Sequence, residues 1–551
     1  MFKNQPKGLY VLALANTGER FGYYTMLAIL LLFLQAQFGF STATAGFIYS
    51  SFLALVYFMP MLGGIIADKW NFKKTVTLGI IVMFLGYLVM AISGLASKSL
   101  ALLFTALFLI ACGTGLFKGN LQVMVGDLYN DPKYADKRDV AFSLFYMAIN
   151  IGAMFAPSVT EALCNLSLHS AGYEYTSGLP GLCNKFLADP SHMEAKSVIA
   201  LMNDSGCYSF DQLSNFCSNY VHAITKGYAY AFAVACVSMV VSYLIYKFGA
   251  ATYKHVGNNV KDKANADANV PELSKEETKS RIVALLLVFA VVIFFWMVFH
   301  QNGATLTKFA EIYTSQEGSG FTRIGFNVWA LAVIAAGVYA AFSFFQSESK
   351  KTKAISGTIL LATIVGVILF LIYTPNPVTG VQPQIYQQFN PFYVVALTPF
   401  SVALFAWLAK KKKEPSAPRK IGYGMIVAGI AYIVMIFASL GFGLPPKEGA
   451  SDVLVSPNWL ISTYLVLTFA ELLLSPMGIS FVSKVAPPKY KGLMMGCWFG
   501  ATAVGNYLVS IPTLLWDKIS TPMLWGILLV ICLVAAGFIF SIMKRLEKVA
   551  K

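Results

Sequence analysis

The stretch NTGERFGYYTML, residues 16–27, sets a glutamate and an arginine side by side within the first long apolar segment of the chain. An ionised group at bilayer depth is costly unless it faces a cavity, finds a partner or serves a function. Asn16, Arg20, Tyr23, Tyr24 and Leu27 follow one another at i, i+4, i+7, i+8 and i+11, which puts them on one helical face. A face that mixes polar and aromatic groups in this way is expected to look into a wet cavity. Lipid would not tolerate it.

The rest of the chain has the same character. Of its 551 residues, 57% are hydrophobic and 12% charged, and the mean hydropathy is +0.64. A soluble chain of this length would carry far more charge. Apolar spans recur at about 9–34, 42–67, 74–95, 99–124, 139–162, 224–247, 281–303, 325–346, 355–374, 391–409, 421–442, 458–483, 491–515 and 522–543. Each is long enough to cross roughly 30 Å of hydrocarbon. The expected class is an all-α polytopic membrane protein with fourteen spans.

The net charge of +15 does not point to nucleic acid. The lysines and arginines gather in alternate gaps, as at Lys69, Lys73 and Lys74, at Lys133, Lys137 and Arg138, and at Lys410–Lys413. That parity follows the positive-inside rule and places both termini in the cytoplasm of a cell (inner) membrane. The partners expected from charge are therefore the lipid bilayer and its anionic headgroups.

Two long polar gaps divide the chain. Residues 248–279 read as a cytoplasmic linker between an N-terminal six-span bundle, 1–247, and a C-terminal part, 280–551. The linker ends in Ser-Lys-Glu-Glu, 274–277, a capping-box pattern that would start the next helix. The outward loop 163–223 carries Cys164, Cys183, Cys207 and Cys217. Four cysteines there suggest two disulfides, with three connectivities open; four unpaired thiols are the other reading.

Further polar groups interrupt the spans: Lys118, Asn150, His300, Asn390, Glu471 and Asn506. For Arg20, Lys118 and Glu471 the competing reading is a structural ion pair between helices; for Asn150 and Asn506 it is interhelical hydrogen bonding. Asp68, near the end of span 2, could cap the next helix or pair with a base in a gate. Pro476 follows Glu471 within one span and could serve as a hinge. No zinc-protease, nucleophile-elbow or phosphate-loop motif is present, so neither an enzyme nor a metal site is expected. Two bundles with buried charges of both signs suit an alternating-access transporter.

Five ordered stretches resemble the proton-dependent oligopeptide transporters, the POT or PTR branch of the major facilitator superfamily: ERFGYY (19–24), GGIIADKW (63–70), FYMAINIG (145–152), FFWMVFHQNGATL (294–306), and ELLLSPMGISFVSKVAP (471–487) with MMGCWFGATAVGN (494–506). The resemblance implies two six-helix bundles, with an extra helix pair at 325–374 between core spans 7 and 8. It implies import of di- and tripeptides by a functional monomer, with protons as the coupling ion and no other cofactor. Arg20 and Lys118 would receive the peptide carboxylate, Glu471 with Asn390 its ammonium group, and Asn150 its backbone. Tyr24, Tyr57, Phe295, Trp296 and Trp498 would line the side-chain pockets.

The sequence also departs from the family pattern. Asn16 stands where the family's element begins with a glutamate, Leu27 where an arginine is common, and His300 where an acid precedes the glutamine. Glu19, Glu471 and His300 remain the proton-coupling candidates, with His300 either a relay or an inert hydrogen bonder. A transporter with altered or lost proton coupling, carrying other peptide-like or anionic solutes, is the alternative.

Overall fold

The structure is a computed structural model that describes residues 5–96, 98–134, 137–256, 273–446, 449–487 and 490–550. In hydrocarbon each backbone N–H and C=O must be satisfied within its own segment or barrel, and these sequences do so as helices. The first half contains α1 (Lys7–Phe38), α2 (Thr42–Lys69), α3 (Phe72–Ala96), α4 (Leu100–Asp127), α5 (Arg138–Ser170), two short helices α6 (Leu179–Ala188) and α7 (Ala195–Ser205), and α8 (Phe210–Phe248). The second half contains α9 (Lys275–Phe299), α10 (Thr305–Tyr313), α11 (Val328–Gln346), α12 (Lys350–Tyr373), α13 (Phe389–Lys410), α14 (Ala417–Ala438), α15 (Asn458–Val485), α16 (Lys491–Leu508), α17 (Ser510–Leu515), α18 (Thr521–Ser541) and α19 (Met543–Ala550).

Among the described residues, thirteen helical segments are long and apolar enough to cross a membrane. The remaining expected span, 491–515, is occupied by α16 and α17, which meet at Val509. Start signals written in the sequence are used. Ser41, Ser99, Ser209 and Ser274 each accept a backbone N–H of the first turn that follows. Only half of the predicted capping box forms, because the Glu277 carboxylate turns to Arg281 at 2.8 Å.

Two expectations for the loops are corrected. The cysteine-bearing loop is folded: α5 runs on to Ser170, α6 and α7 follow, and α8 begins at Phe210. The linker begins with a helical turn, Gly249–Tyr253, that packs against α1 and buries Tyr253, while its residues 257–272 lie outside the described residues. At the start of α3, Asn71 Oδ1 accepts from the N–H groups of Lys73 at 2.9 Å and Lys74 at 3.3 Å. Asp68 itself is exposed near the end of α2.

Two large cores form, one almost wholly from residues before 257 and one from residues 284–546. The halves repeat one packing device. In the first, α5 lies so close to α1 that a Cβ on Gly152 would sit 2.5 Å from the Thr17 carbonyl oxygen. In the second, α16 meets α9 in the same way, with a Cβ on Gly505 placed 2.4 Å from the Ile293 carbonyl oxygen. Small residues let helix backbones approach where apolar burial gives no net drive between them.

The extra pair α11–α12 is peripheral. Trp329 of α11 meets Phe155 of α5 at 5.1 Å between ring centroids. α12 rests on α11 through Gly337 and Thr363 and exposes an apolar surface elsewhere, including Leu361 and Ile364. Buried Arg323 ties down the end of α12: its Nη1 donates to the carbonyls of Thr374 (2.7 Å) and Pro375 (3.1 Å), and its Nη2 to Leu371. A cation at a helix C-terminus satisfies the last carbonyls and opposes the helix dipole.

The two halves are joined by hydrogen bonds from mid-depth toward the side that carries α6 and α7, here termed the loop side; the opposite side is the terminal side. Gln387 Nε2 donates to the Ala28 carbonyl at 3.0 Å, and Ser158 Oγ to Gln388 Oε1 at 2.7 Å. The Gln382 N–H donates to Glu161 Oε1 at 3.0 Å, and Gln382 Nε2 to Asn165 Oδ1 at 2.5 Å.

Candidate functional site

On α1, Arg20 forks onto Glu19 through Nε and Nη2, and both side chains are buried. The arginine carbon also lies 4.8 Å from the centroid of Tyr23. The opening stripe therefore divides. Asn16, Arg20, Tyr23 and Leu27 are buried in the first half, with Tyr23 stacked on Phe52 of α2, whereas Tyr24 keeps partial exposure. The expected wet face narrows to Tyr24, because its neighbours are covered by α2, α5 and α8.

Lys118 of α4 sits over the ring of Tyr57, with Nζ 4.1 Å from the centroid. Tyr57 in turn approaches His300 at 6.2 Å. His300 begins the turn after α9, stacks on Trp296 at 4.9 Å, and shares a 2.5 Å hydrogen bond between its Nδ1 and Asn506 Oδ1.

Across the gap, Glu471 of α15 is buried and held by neutral donors. Asn390 Nδ2 reaches Oε2 at 2.8 Å and also Thr468 Oγ1 at 3.0 Å. Tyr146 Oη, from α5 of the other half, reaches Oε1 at 3.2 Å. Tyr146 thus links the two halves at Glu471, while Tyr57 links Lys118 to His300. Arg20 is neutralised by its neighbour. Lys118 and Glu471 form no ion pair among the described residues and stand on opposite halves.

Other expected site residues are placed differently. Phe295 is wholly buried in the second core and stacked on Phe299 at 5.6 Å, so it packs the half together. Trp498 is buried against Phe289, with its indole beside Gly478. Asn150 gives one amide hydrogen to the Tyr146 carbonyl at 2.9 Å, one turn back on α5. Pro476 is exposed, and α15 continues through it as one helix.

The four loop cysteines are thiols in this structure. Cys164 is buried in the first main core beside Gly227, whereas Cys183 and Cys217 share the small core under α6 and α7. The Cys217 thiol, with burial second, raises the pKa of Cys183 above the ordinary thiol range. The predicted two-disulfide pattern is thus not formed, since Cys164 belongs to a different core.

Sequence reasoning missed Tyr146. Its signal was available, because it lies four residues before Asn150 within FYMAINIG and so on the same helical face. It also missed the glutamine-rich segment 382–388, whose partners are far away in sequence. A separate cavity of about 720 Å³ lies at the loop side, bordered by α6, α10 and the segment after α17.

Two pseudo-equivalent helical halves around a buried, two-signed mid-depth site define a membrane transporter of the alternating-access class. The model of the POT family matches residues 73–184 and 375–524 of this chain. The chain is 28% identical to peptide transporter YePEPT of Yersinia enterocolitica over 92% of this chain and 87% of that one. It is 24% identical to dipeptide and tripeptide permease A of Escherichia coli, over 94% and 87%. With transporter YclF of Bacillus subtilis it shares 27% identity over 100% and 96%. The fold matches a crystal structure of a POT peptide transporter bound to alafosfalin with a TM-score of 0.67 and 22% identity, over 100% and 97% of the two chains. A tetrameric transporter, PepTSo2, is similar at a TM-score of 0.63 and 19% identity, over 98% of each.

Proposed function

We propose that this protein imports di- and tripeptides across a cell (inner) membrane by alternating access, in symport with protons and with no other cofactor. Its termini lie in the cytoplasm and the monomer is the working unit. The observation that carries the reading is the charge arrangement. Lys118 and Glu471 sit on opposite halves with no counter-ion among the described residues, and a bound zwitterion neutralises both at once. A dipeptide spans roughly 7 Å and would couple the halves as it bridges them. The permease and peptide-transporter relatives support the same cargo.

The test is uptake of labelled dialanine into proteoliposomes under an imposed proton gradient. Accumulation above the external concentration is expected; absence of any di- or tripeptide exchange overturns the reading. A second reading, transport with altered or lost proton coupling, draws on Asn16 and on the pairing of His300 with Asn506. Peptide uptake that does not acidify the lumen would favour it.

A further inference from the structure

The loop-side cavity is remote from the poles just described, yet it is charged in its own right. Lys98 and Lys185 border it from the first half, and Lys308, Glu311 and Asp517 from the second. Lys308 and Glu311 lie one helical turn apart on α10, form an ion pair, and are 6% and 7% exposed. Burial raises the pKa of Asp517, and nearby Lys308 and Lys185 draw it back. These charges border an open volume that falls within the roughly 300–1,000 Å³ typical of small-molecule sites. The cavity is lined by both halves, beside the point where Ser177 Oγ donates to the Glu311 carbonyl.

We propose that this cavity is a reception site for small zwitterions arriving from the loop side. The ammonium group settles by Glu311 and Asp517, and the carboxylate by Lys185 and Lys308. The solute then passes to the mid-depth poles. This inference rests on reading the chain as a peptide transporter. A zwitterion exchanges partners with an existing ion pair and leaves no uncompensated buried charge, whereas a lone anion or cation would. Opposed charges at an entrance also raise the local solute concentration and the on-rate.

Gly181 offers a clean test. It lines the cavity on α6, and a Cβ there would meet nothing within 4 Å. In oriented proteoliposomes given dialanine on the loop side, Gly181→Trp is expected to raise KM about tenfold with the maximal rate retained, the low end of what electrostatic capture supplies. Maximal flux in the opposite direction falls by the same factor, because release uses the same space. Gly181→Ala behaves as wild type, and Asp517→Asn raises loop-side KM without filling the cavity.

Unchanged KM in Gly181→Trp at a wild-type melting temperature overturns the reception site, as does a loss of rate with KM unmoved. If Gly181→Trp melts early, Asp517→Asn decides by the same criterion. Wild-type protein that moves no peptide sinks the functional reading and this inference together. Wild-type flux with unchanged variant KM sinks this inference alone.

Discussion

Glu471 shows what single residues do at mid-depth. Its carboxylate is held by an amide and a phenol, neither of which cancels its charge. Glu471→Gln keeps the size and can keep contacts with Asn390 and Tyr146, so folding is expected to survive while the ammonium partner is lost. Removing a charge-assisted bond is worth about 1.5–3 kcal/mol. Dialanine KM should therefore rise about 10- to 150-fold, measured by uptake beside an unchanged melting temperature. Asn16 offers the complementary change. Its side-chain Nδ2 is buried without a partner one turn before Arg20. Asn16→Glu sets a second carboxylate beside the arginine in competition with Glu19, so one acid gains a reason to titrate. Uptake of the variant is expected to depend more steeply on external pH than that of wild type; parallel pH profiles would remove Asn16 from the coupling machinery.

Elements were legible in proportion to the physical signal in their residues. Span positions followed from apolar length, and the start of α9 from the Ser274 cap. The facing of α9 was not legible. From Ile282 to Phe299 it is apolar on every side, so no polar mark sets the phase, and Phe295 falls into the core where a pocket was expected. The thiols failed for another reason: sequence proximity in a loop does not reveal that Cys164 packs against α8 in the main core while Cys183 of α6 faces the small core with Cys217. The glycine contacts at 152 and 505 needed the structure as well, because only the neighbouring backbone makes a Cβ impossible. Gly152→Ala is expected to cost about 1–3 kcal/mol by forcing α5 off Thr17, read as a lower melting temperature in detergent. Gly172→Ala is no suitable control, since its φ of 79° would strain any other residue; Gly526→Ala, within α18 with nothing near its Cβ, should leave the melting temperature unchanged.

At the scale of the whole molecule, the site was legible as residues and the gate was not. Arg20, Lys118, Asn390 and Glu471 stand out because charge or amide in an apolar span is unusual. The loop-side closure is built from Gln382, Gln387 and Gln388, polar residues just outside a span, where they are common and so carry no signal. Their placement makes closure testable. The Gln382 N–H belongs to a wholly buried residue and finds its acceptor in Glu161 of the other half. Glu161→Ala leaves that donor unpaired while the loop side is shut, at a cost of about 1–3 kcal/mol. When the halves part there, water supplies the acceptor and the cost disappears. The variant is expected to shift by about 5- to 150-fold toward the loop-side-open arrangement, the population change that this free energy dictates. Spin labels at the loop-side ends of α1 and α10 should report the longer distance, and a maleimide should label a cysteine at Leu32 faster from the loop side. Glu161→Gln retains an acceptor oxygen and should behave as wild type. Equal distance distributions in the alanine and glutamine variants would show that Glu161 does not hold the gate.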